Sequence, residues 1–216
     1  MDLLTMIAEL AEGMLVSIEI FAVTLLGSLP LGLLVAFGRM SKCWTLRNIV
    51  KVYISIMRGT PLMLQLIVVY YGPFYLLGLS ISAGYRMVAV MIAFIINYAA
   101  YFAEIYRGGI ASMPAGQYEA AHVLGYSKPQ TFFRIILPQV IKRILPSVTN
   151  EVITLIKDTS LAFSISVMEM FTTAKAIAAA EKNMGALMAA GVFYYVFNFA
   201  VAWAMEGLEK RLDYYR

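Results

Sequence analysis

The sequence has few residues of the kinds that build disulfides, metal centres or hydrolytic sites. Its 216 residues include one cysteine, Cys43, and one histidine, His122. This excludes an internal disulfide and a cysteine metal cluster, and it leaves little for a histidine metal site or a catalytic triad. No phosphate-binding run of the type G-x-x-x-x-G-K occurs, so the chain cannot hydrolyse ATP alone. We therefore predict no catalytic residue, no metal ligand and no cofactor in this chain.

Charged residues are also scarce, and long apolar runs take their place. Of all residues, 61% are hydrophobic and 14% are charged, which is typical of a membrane protein. A helix that crosses a bilayer needs about 20 mostly apolar residues, and five stretches meet or approach this length. We predict an all-α integral membrane protein, a single domain over 1–216, with five transmembrane helices at 13–38, 52–77, 87–106, 139–164 and 185–205.

The basic residues are distributed unevenly between the two sides of the predicted membrane. Twelve follow the first span, lie between the third and fourth spans or end the chain, and three lie in the opposite loops. Because cytoplasmic loops carry the excess of lysine and arginine, we predict an N-terminus outside and a C-terminus in the cytoplasm. This bias explains the net charge of +4 without nucleic acid as a partner. The start of the chain has no basic residue, so the first span is expected to be retained.

One face of the third predicted span carries polar residues. Asn97, Tyr101 and Glu104 follow the spacing i, i+4, i+7, which places them on the same side of a helix. Asn97 falls near the middle of the membrane, and Glu104 lies near the inner side at a rise of about 1.5 Å per residue. This face is a candidate lining for a substrate pathway.

The second span contains a polar break in its cytoplasmic third. Gly59 adds backbone freedom and Pro61 removes a backbone hydrogen bond, so we expect a kink there. Arg58 is costly at this depth without a partner, and its depth matches that of Glu104. We predict an Arg58–Glu104 ion pair with a structural or gating role. The alternative is that Arg58 extends to the inner headgroups.

The fourth span is unusually polar for a transmembrane helix. Glu151, Thr154 and Asp158 follow the spacing i, i+3, i+7, so one face presents two carboxylates and a hydroxyl. A charge that faces lipid costs about 2.5 to 3.5 kcal/mol by insertion scales, and this face is therefore expected to meet protein or water. Asp158 either accepts a substrate ammonium or caps a helix that restarts near Ser160.

The first span carries a narrow stripe of hydroxyl groups at Ser17, Thr24 and Ser28. Hydroxyls inside a membrane helix commonly bond to their own backbone or to a neighbouring helix. We favour that interpretation. The alternative is that Ser17 and Thr24 line the substrate pathway.

The polar segment at about 112–138 separates the third and fourth spans. A short helix is predicted from about Ala115, with Gly125 in a left-handed conformation at its end. Ser127 and Gln130 have the spacing of a capping box for a second helix. The segment contains the pattern E-A-A, three residues, G, nine residues and I-x-L-P over 119–138.

This pattern resembles the E-A-A loop of ATP-binding cassette (ABC) importer permeases. The runs R-G-T-P-L at 58–62 and K-D-T-S-L at 157–161 resemble signatures of the branch that takes up polar amino acids. The resemblance implies the fold of a type I ABC importer permease, with five transmembrane helices and a short cytoplasmic coupling helix. It assigns ATPase coupling to the residues of the E-A-A loop: Glu119, Ala120, Ala121 and Gly125.

The resemblance also implies partners. They are a separate ATPase dimer that holds ATP and Mg, a second permease copy or sister permease, and an extracytoplasmic binding protein, in a bacterial inner membrane. We expect ATP-driven uptake of a polar amino acid. Well inside the spans, three acidic residues, Glu104, Glu151 and Asp158, stand against the two basic residues Arg58 and Lys157, which favours a cationic or neutral amino acid. One alternative is a secondary transporter in which Glu104, Glu151 or Asp158 relays protons. An intramembrane enzyme is the other, but no nucleophile and base pair stands out.

Overall fold

The computed structural model describes residues 2–82 and 84–212. These residues form helices joined by short connections and contain no strand. The α-helices are α1 (Leu3–Arg39), α2 (Trp44–Gly59), α3 (Leu62–Leu77), α4 (Tyr85–Ala111), α5 (Ala115–Val123), α6 (Lys128–Gln130), α7 (Leu137–Asp158), α8 (Met170–Glu181) and α9 (Gly185–Leu212). A π-helix, Thr131–Ile136, joins α6 to α7, and a 3-10 helix, Thr159–Ile165, follows α7.

Three helices in the described part of the chain, α1, α4 and α9, are each long and apolar enough to cross a membrane. Two further pairs qualify when each is taken as one bent span. The pair α2 and α3 bends by 110°, and the run Lys128–Ile165 bends by 57° against α8. The structure therefore holds three to five spans, and the predicted five corresponds to the upper count.

Three of the predicted spans differ from the structure in detail. The first is longer than predicted, because α1 begins at Leu3 and not at residue 13. The kink predicted near Pro61 is confirmed, but it is a break between two helices and not a bend within one. The fourth span, predicted as one helix over 139–164, leaves the α-helical conformation after Asp158 and continues as the 3-10 helix.

The core forms where α1 packs along α4. Phe94, Tyr98 and Phe102 of α4 are buried there among side chains of α1, α3, α7 and the 3-10 helix. Gly32 of α1 permits the close approach, because a Cβ at this position would lie 2.9 Å from Cβ of Phe102 and 3.1 Å from the carbonyl oxygen of Ala99. By contrast, α9 lies at the periphery, and only Ala186 and Ala190 are buried in it.

Replacing Gly32 with valine should loosen this helix pair. The added side chain must push α1 away from α4, and overpacking of this kind costs about 1 to 3 kcal/mol. We expect a lower melting temperature for the purified variant in detergent. Gly191→Val in α9 is the matched control, because nothing lies within 4 Å of its added Cβ; equal melting temperatures for the two variants would contradict the close packing.

Candidate functional site

A polar cavity of about 280 Å³ lies between α4, α7 and the break that separates α2 from α3. Five predicted pathway residues meet in its walls, and they come from two helices that are distant in sequence. The lining consists of Thr60, Pro61, Leu62, Asn97, Tyr98, Tyr101, Glu151, Thr154, Asp158 and Leu161. We call this cavity the cleft.

Asp158 ends α7 at the side of the cleft. Its Oδ2 accepts a hydrogen bond of 2.7 Å from the hydroxyl of Tyr98. Its side chain makes no capping hydrogen bond to the 3-10 helix that follows, so the capping role considered for Asp158 is not the one it has in the structure. The sequence patterns missed Tyr98, which lies next to Asn97 among apolar residues and is almost fully buried.

Glu151 has a different environment from Asp158. Its carboxylate is half-buried, and among the residues described it makes no hydrogen bond and no close ion pair, although the positive charge of Arg58 acts on it. Thr154, one turn along α7, donates its hydroxyl to the carbonyl oxygen of Asn150 at 2.9 Å. The cleft therefore presents one carboxylate held by a tyrosine hydroxyl and one that is available to a ligand.

The break between α2 and α3 is held by two side-chain amides. Gln65 donates from Nε2 to the carbonyl oxygens of Met57 at 3.0 Å and Thr60 at 3.1 Å, and to Oγ1 of Thr60 at 2.8 Å. Asn97 donates from Nδ2 to Oε1 of Gln65 at 2.9 Å and to the carbonyl oxygen of Met57 at 3.1 Å. These bonds satisfy carbonyl groups that the break leaves without helical partners. Asn97 thus lines the cleft, but its amide nitrogen is committed to the break.

Replacing Gln65 with leucine should destabilise the protein. The substitution removes the acceptor of the buried Asn97 amide and the donor to the part-buried carbonyl oxygen of Thr60, and a buried donor left unpaired costs about 1 to 3 kcal/mol. A thermal unfolding curve in detergent would show the loss as a lower midpoint. Gln117→Leu, at an exposed position in α5, should leave the midpoint unchanged; a Gln65→Leu midpoint that also stays unchanged would contradict the role of the amide.

The predicted ion pair between Arg58 and Glu104 is not the arrangement in the structure. Glu104 accepts from Arg107, three residues along the same helix, at 2.7 Å, and Arg39 lies 3.9 Å away. The guanidinium of Arg58 lies over the ring of Tyr101, 5.3 Å from its centroid. Arg107 is the partner of Glu104 because residues at i and i+3 are neighbours on one helix and need no tertiary alignment. Arg58 instead makes a cation–π contact with Tyr101 beside the cleft.

Ser17 and Thr24 do not line the cleft. Both are buried in α1. Ser17 contacts Glu169, with 3.4 Å between Oγ and Oε2. The packing interpretation is met by Ser17, whose hydroxyl also donates to the carbonyl oxygen of Gly13 at 3.3 Å. The buried hydroxyls of Thr24 and Ser28 have no hydrogen-bond partner among the described residues. A place for Ser17 and Thr24 in the pathway stays a prediction.

The segment between α4 and α7 has the predicted form. Helix α5 starts at Ala115, Gly125 has φ +79°, and Ser127 and Gln130 exchange the two hydrogen bonds of a capping box. In the E-A-A run, Glu119 and Ala120 are exposed and Ala121 is 1% exposed. Ala121 therefore packs within the segment and is not part of its outer surface.

The chain matches a known family of transport proteins over most of its length. The sequence profile of a family described as "Binding-protein-dependent transport system inner membrane component" matches residues 28–214. The chain belongs to this family. It is the permease component of an amino acid ABC importer, a transport subunit and not an enzyme, and an inner membrane component.

Relatives with curated names cover nearly the whole permease. The L-cystine transport system permease protein TcyB of Bacillus subtilis is 36% identical over 211 residues, 95% of this chain and 87% of the relative. The octopine transport system permease protein OccM of Rhizobium radiobacter is 40% identical over 195 residues, 86% of this chain and 80% of the relative. The recognition of the polar amino acid branch of ABC permeases is thereby confirmed.

A solved structure confirms the fold of the permease. The chain in a crystal structure of an amino acid ABC transporter with histidines superposes with a TM-score of 0.87 at 28% sequence identity, over 98% of this chain and 99% of that one. The type I ABC importer permease fold predicted from the sequence is therefore the fold observed.

Proposed function

We propose that this permease moves a polar amino acid into the cytoplasm through the cleft, with cationic amino acids favoured. The observation that supports this most directly is the charge pattern of the cleft. Glu151 and Asp158 in the lining offer two carboxylates for an ammonium. The guanidinium of Arg58, which lies beside the cleft over the ring of Tyr101, offers a cation for a carboxylate. An amino acid carries both groups, and charge-assisted hydrogen bonds to them are the strong ones.

Among the described residues that line the cleft, two are carboxylates and none is a cation, and this difference sets the proposed preference. A substrate with a second positive group would pair with the carboxylate that the α-ammonium leaves free. The names of the relatives, which include L-cystine, octopine and glutamine permeases, are consistent with a polar amino acid and do not by themselves select among them.

Transport is coupled, in this proposal, to a separate ATPase dimer that carries ATP and Mg. Helix α5 is the contact, with Glu119 and Ala120 on its exposed surface. Nucleotide binding would move α5, and the run from α6 through α7 would carry that movement to Glu151 and Asp158. Pumping requires that the substrate make different contacts in the two states.

The remaining partners follow from the same assignment. A second copy or a sister permease completes the transport path in the bilayer, and an extracytoplasmic amino-acid-binding protein delivers substrate. With the N-terminus outside, as the distribution of basic residues indicates, α8 lies on the outer side and α5 on the cytoplasmic side. Membrane vesicles with the permease labelled on either face test this orientation.

The experiment for the substrate class uses the permease purified with its ATPase and its binding protein. A panel of amino acids is added singly, and hydrolysis of ATP in proteoliposomes is measured. We expect stimulation by a polar amino acid, strongest for a cationic one. Stimulation by apolar or acidic amino acids alone would overturn the proposed preference.

A further inference from the structure

Glu169 is a buried carboxylate outside the cleft, and the transport mechanism proposed above does not use it. The residue precedes α8, and its side chain is 0% exposed. Its oxygens accept from the backbone N–H groups of Phe171 and Thr172 at 2.8 Å each, and from the hydroxyl of Thr172 at 2.8 Å. The hydroxyl of Tyr194 in α9 donates to it at 3.0 Å. Glu169 therefore caps α8 and binds it to α9.

The same end of α8 lies directly against α1. The backbone N–H of Met170 donates to Oγ of Ser17 at 3.3 Å, and Ser17 in turn lies 3.4 Å from Glu169. At Gly13 a Cβ would lie 2.8 Å from Cα of Met170, so only a glycine fits the contact. Helices α1, α8 and α9 thus meet around one carboxylate.

Another part of α8 is attached to the 3-10 helix. The ammonium of Lys175 lies 5.2 Å from the ring centroid of Phe163, and Phe163 packs edge-to-face on Phe171 at 5.6 Å. The 3-10 helix starts immediately after Asp158 and contributes Leu161 to the wall of the cleft. A displacement of α8 would therefore act on that wall.

We propose that Glu169 is a positioning residue that fixes α8 to α1 and α9 and thereby holds the 3-10 helix as one wall of the cleft. This proposal rests on the proposed function in one respect, which is that the cleft is the substrate pathway. A carboxyl group suits this site because Phe171, Thr172 and Tyr194 all present donors to its oxygens. A glutamine would turn an NH2 group toward some of these donors, and buried donors without acceptors are costly.

The test measures how readily Leu161 is reached by a thiol reagent. A Leu161→Cys reporter is made in a chain with Cys43→Ser, which leaves it the sole cysteine. Maleimide labelling is followed in membranes without nucleotide. We expect Glu169→Gln to raise the labelling rate about fivefold, the factor that about 1 kcal/mol of lost restraint produces. Glu169→Asp, which keeps acceptor oxygens at the cap, should restore a rate near the original.

Two controls separate this effect from general loosening. Glu12→Gln removes an exposed carboxylate of α1 and should leave the labelling of Leu161→Cys unchanged. Native Cys43, used as the sole reporter, should label at the same rate with and without Glu169→Gln. An unchanged rate at Leu161→Cys in the Glu169→Gln chain would overturn the proposal.

A second variant keeps the test decisive if Glu169→Gln does not accumulate in the membrane. Tyr194→Phe removes one hydrogen bond and leaves the cap of α8 in place, so a smaller rise in rate is expected, and no rise would overturn the proposal. Labelling requires neither substrate nor ATPase. If the cleft is not the substrate pathway, variants of its lining will show normal uptake, and the labelling result will be unaffected.

Discussion

Replacing Gly125 with valine is expected to reduce amino acid uptake more than tenfold while the permease still inserts in the membrane and assembles. Gly125 has φ +79°, a left-handed conformation that costs a non-glycine residue about 1 to 2 kcal/mol and that β-branched residues avoid. The chain leaving α5 would have to take another path, and Glu119 and Ala120 would no longer present the same surface. Uptake into proteoliposomes and hydrolysis of ATP are measured on the same preparation.

The matched control for this prediction is Gly116→Val in the first turn of α5. Nothing lies within 4 Å of a Cβ at Gly116, and its φ is not positive. We expect the control to keep most of its uptake. Equal uptake by Gly125→Val and Gly116→Val would remove the turn after α5 from the coupling mechanism.

The second large effect is expected for Glu151→Gln. The carboxylate of Glu151 makes no hydrogen bond and no close ion pair among the described residues, so its replacement should cost little stability. A hydrogen bond to a charged group contributes about 1.5 to 3 kcal/mol, and its loss predicts a KM for a cationic amino acid raised about tenfold or more. The measurement is the substrate dependence of uptake in proteoliposomes.

Glu12→Gln provides the comparison for Glu151→Gln, because it neutralises an exposed carboxylate on α1 away from the cleft. Its KM should not change. A Glu151→Gln permease with an unchanged KM and an unchanged melting temperature would show that this carboxylate does not contact the substrate.

Local sequence rules predicted much of the fold. Continuous apolar runs predicted α1, α4 and α9, because burial in lipid depends mainly on the composition of the segment itself. The short helix α5, the turn at Gly125 and the capping box at Ser127 were also predictable, since each depends on residues within one or two turns. The size of the break between α2 and α3 was not predictable from local sequence, because Gln65 and Asn97 fix it from different helices.

In the cleft, too, local spacing predicted some features and missed the contacts between distant residues. Helical spacing placed Glu151, Thr154 and Asp158 on one face correctly, but it could not show that Tyr98 binds Asp158. Matching of depths suggested Glu104 as the partner of Arg58, although Arg107 at i+3 was the closer choice.

Glu169 carried a local signal that the sequence interpretation did not use. A carboxylate next to the start of an alanine-rich segment is favoured by the positive end of the helix dipole, although Ser, Thr, Asp and Asn are the usual residues at the N-cap. That signal indicates the place where α8 starts, whereas the contacts with α1 and α9 depend on the tertiary fold.

The source of energy tests the central claim most directly. Proteoliposomes that hold the permease, its ATPase and the binding protein are supplied with ATP, or with an imposed proton gradient and no ATP, and accumulation of the amino acid is followed. We predict accumulation with ATP alone, and none with the gradient or when the ATPase is omitted. Accumulation driven by the proton gradient without the ATPase would contradict the account and favour a secondary transporter that uses the carboxylates of the cleft.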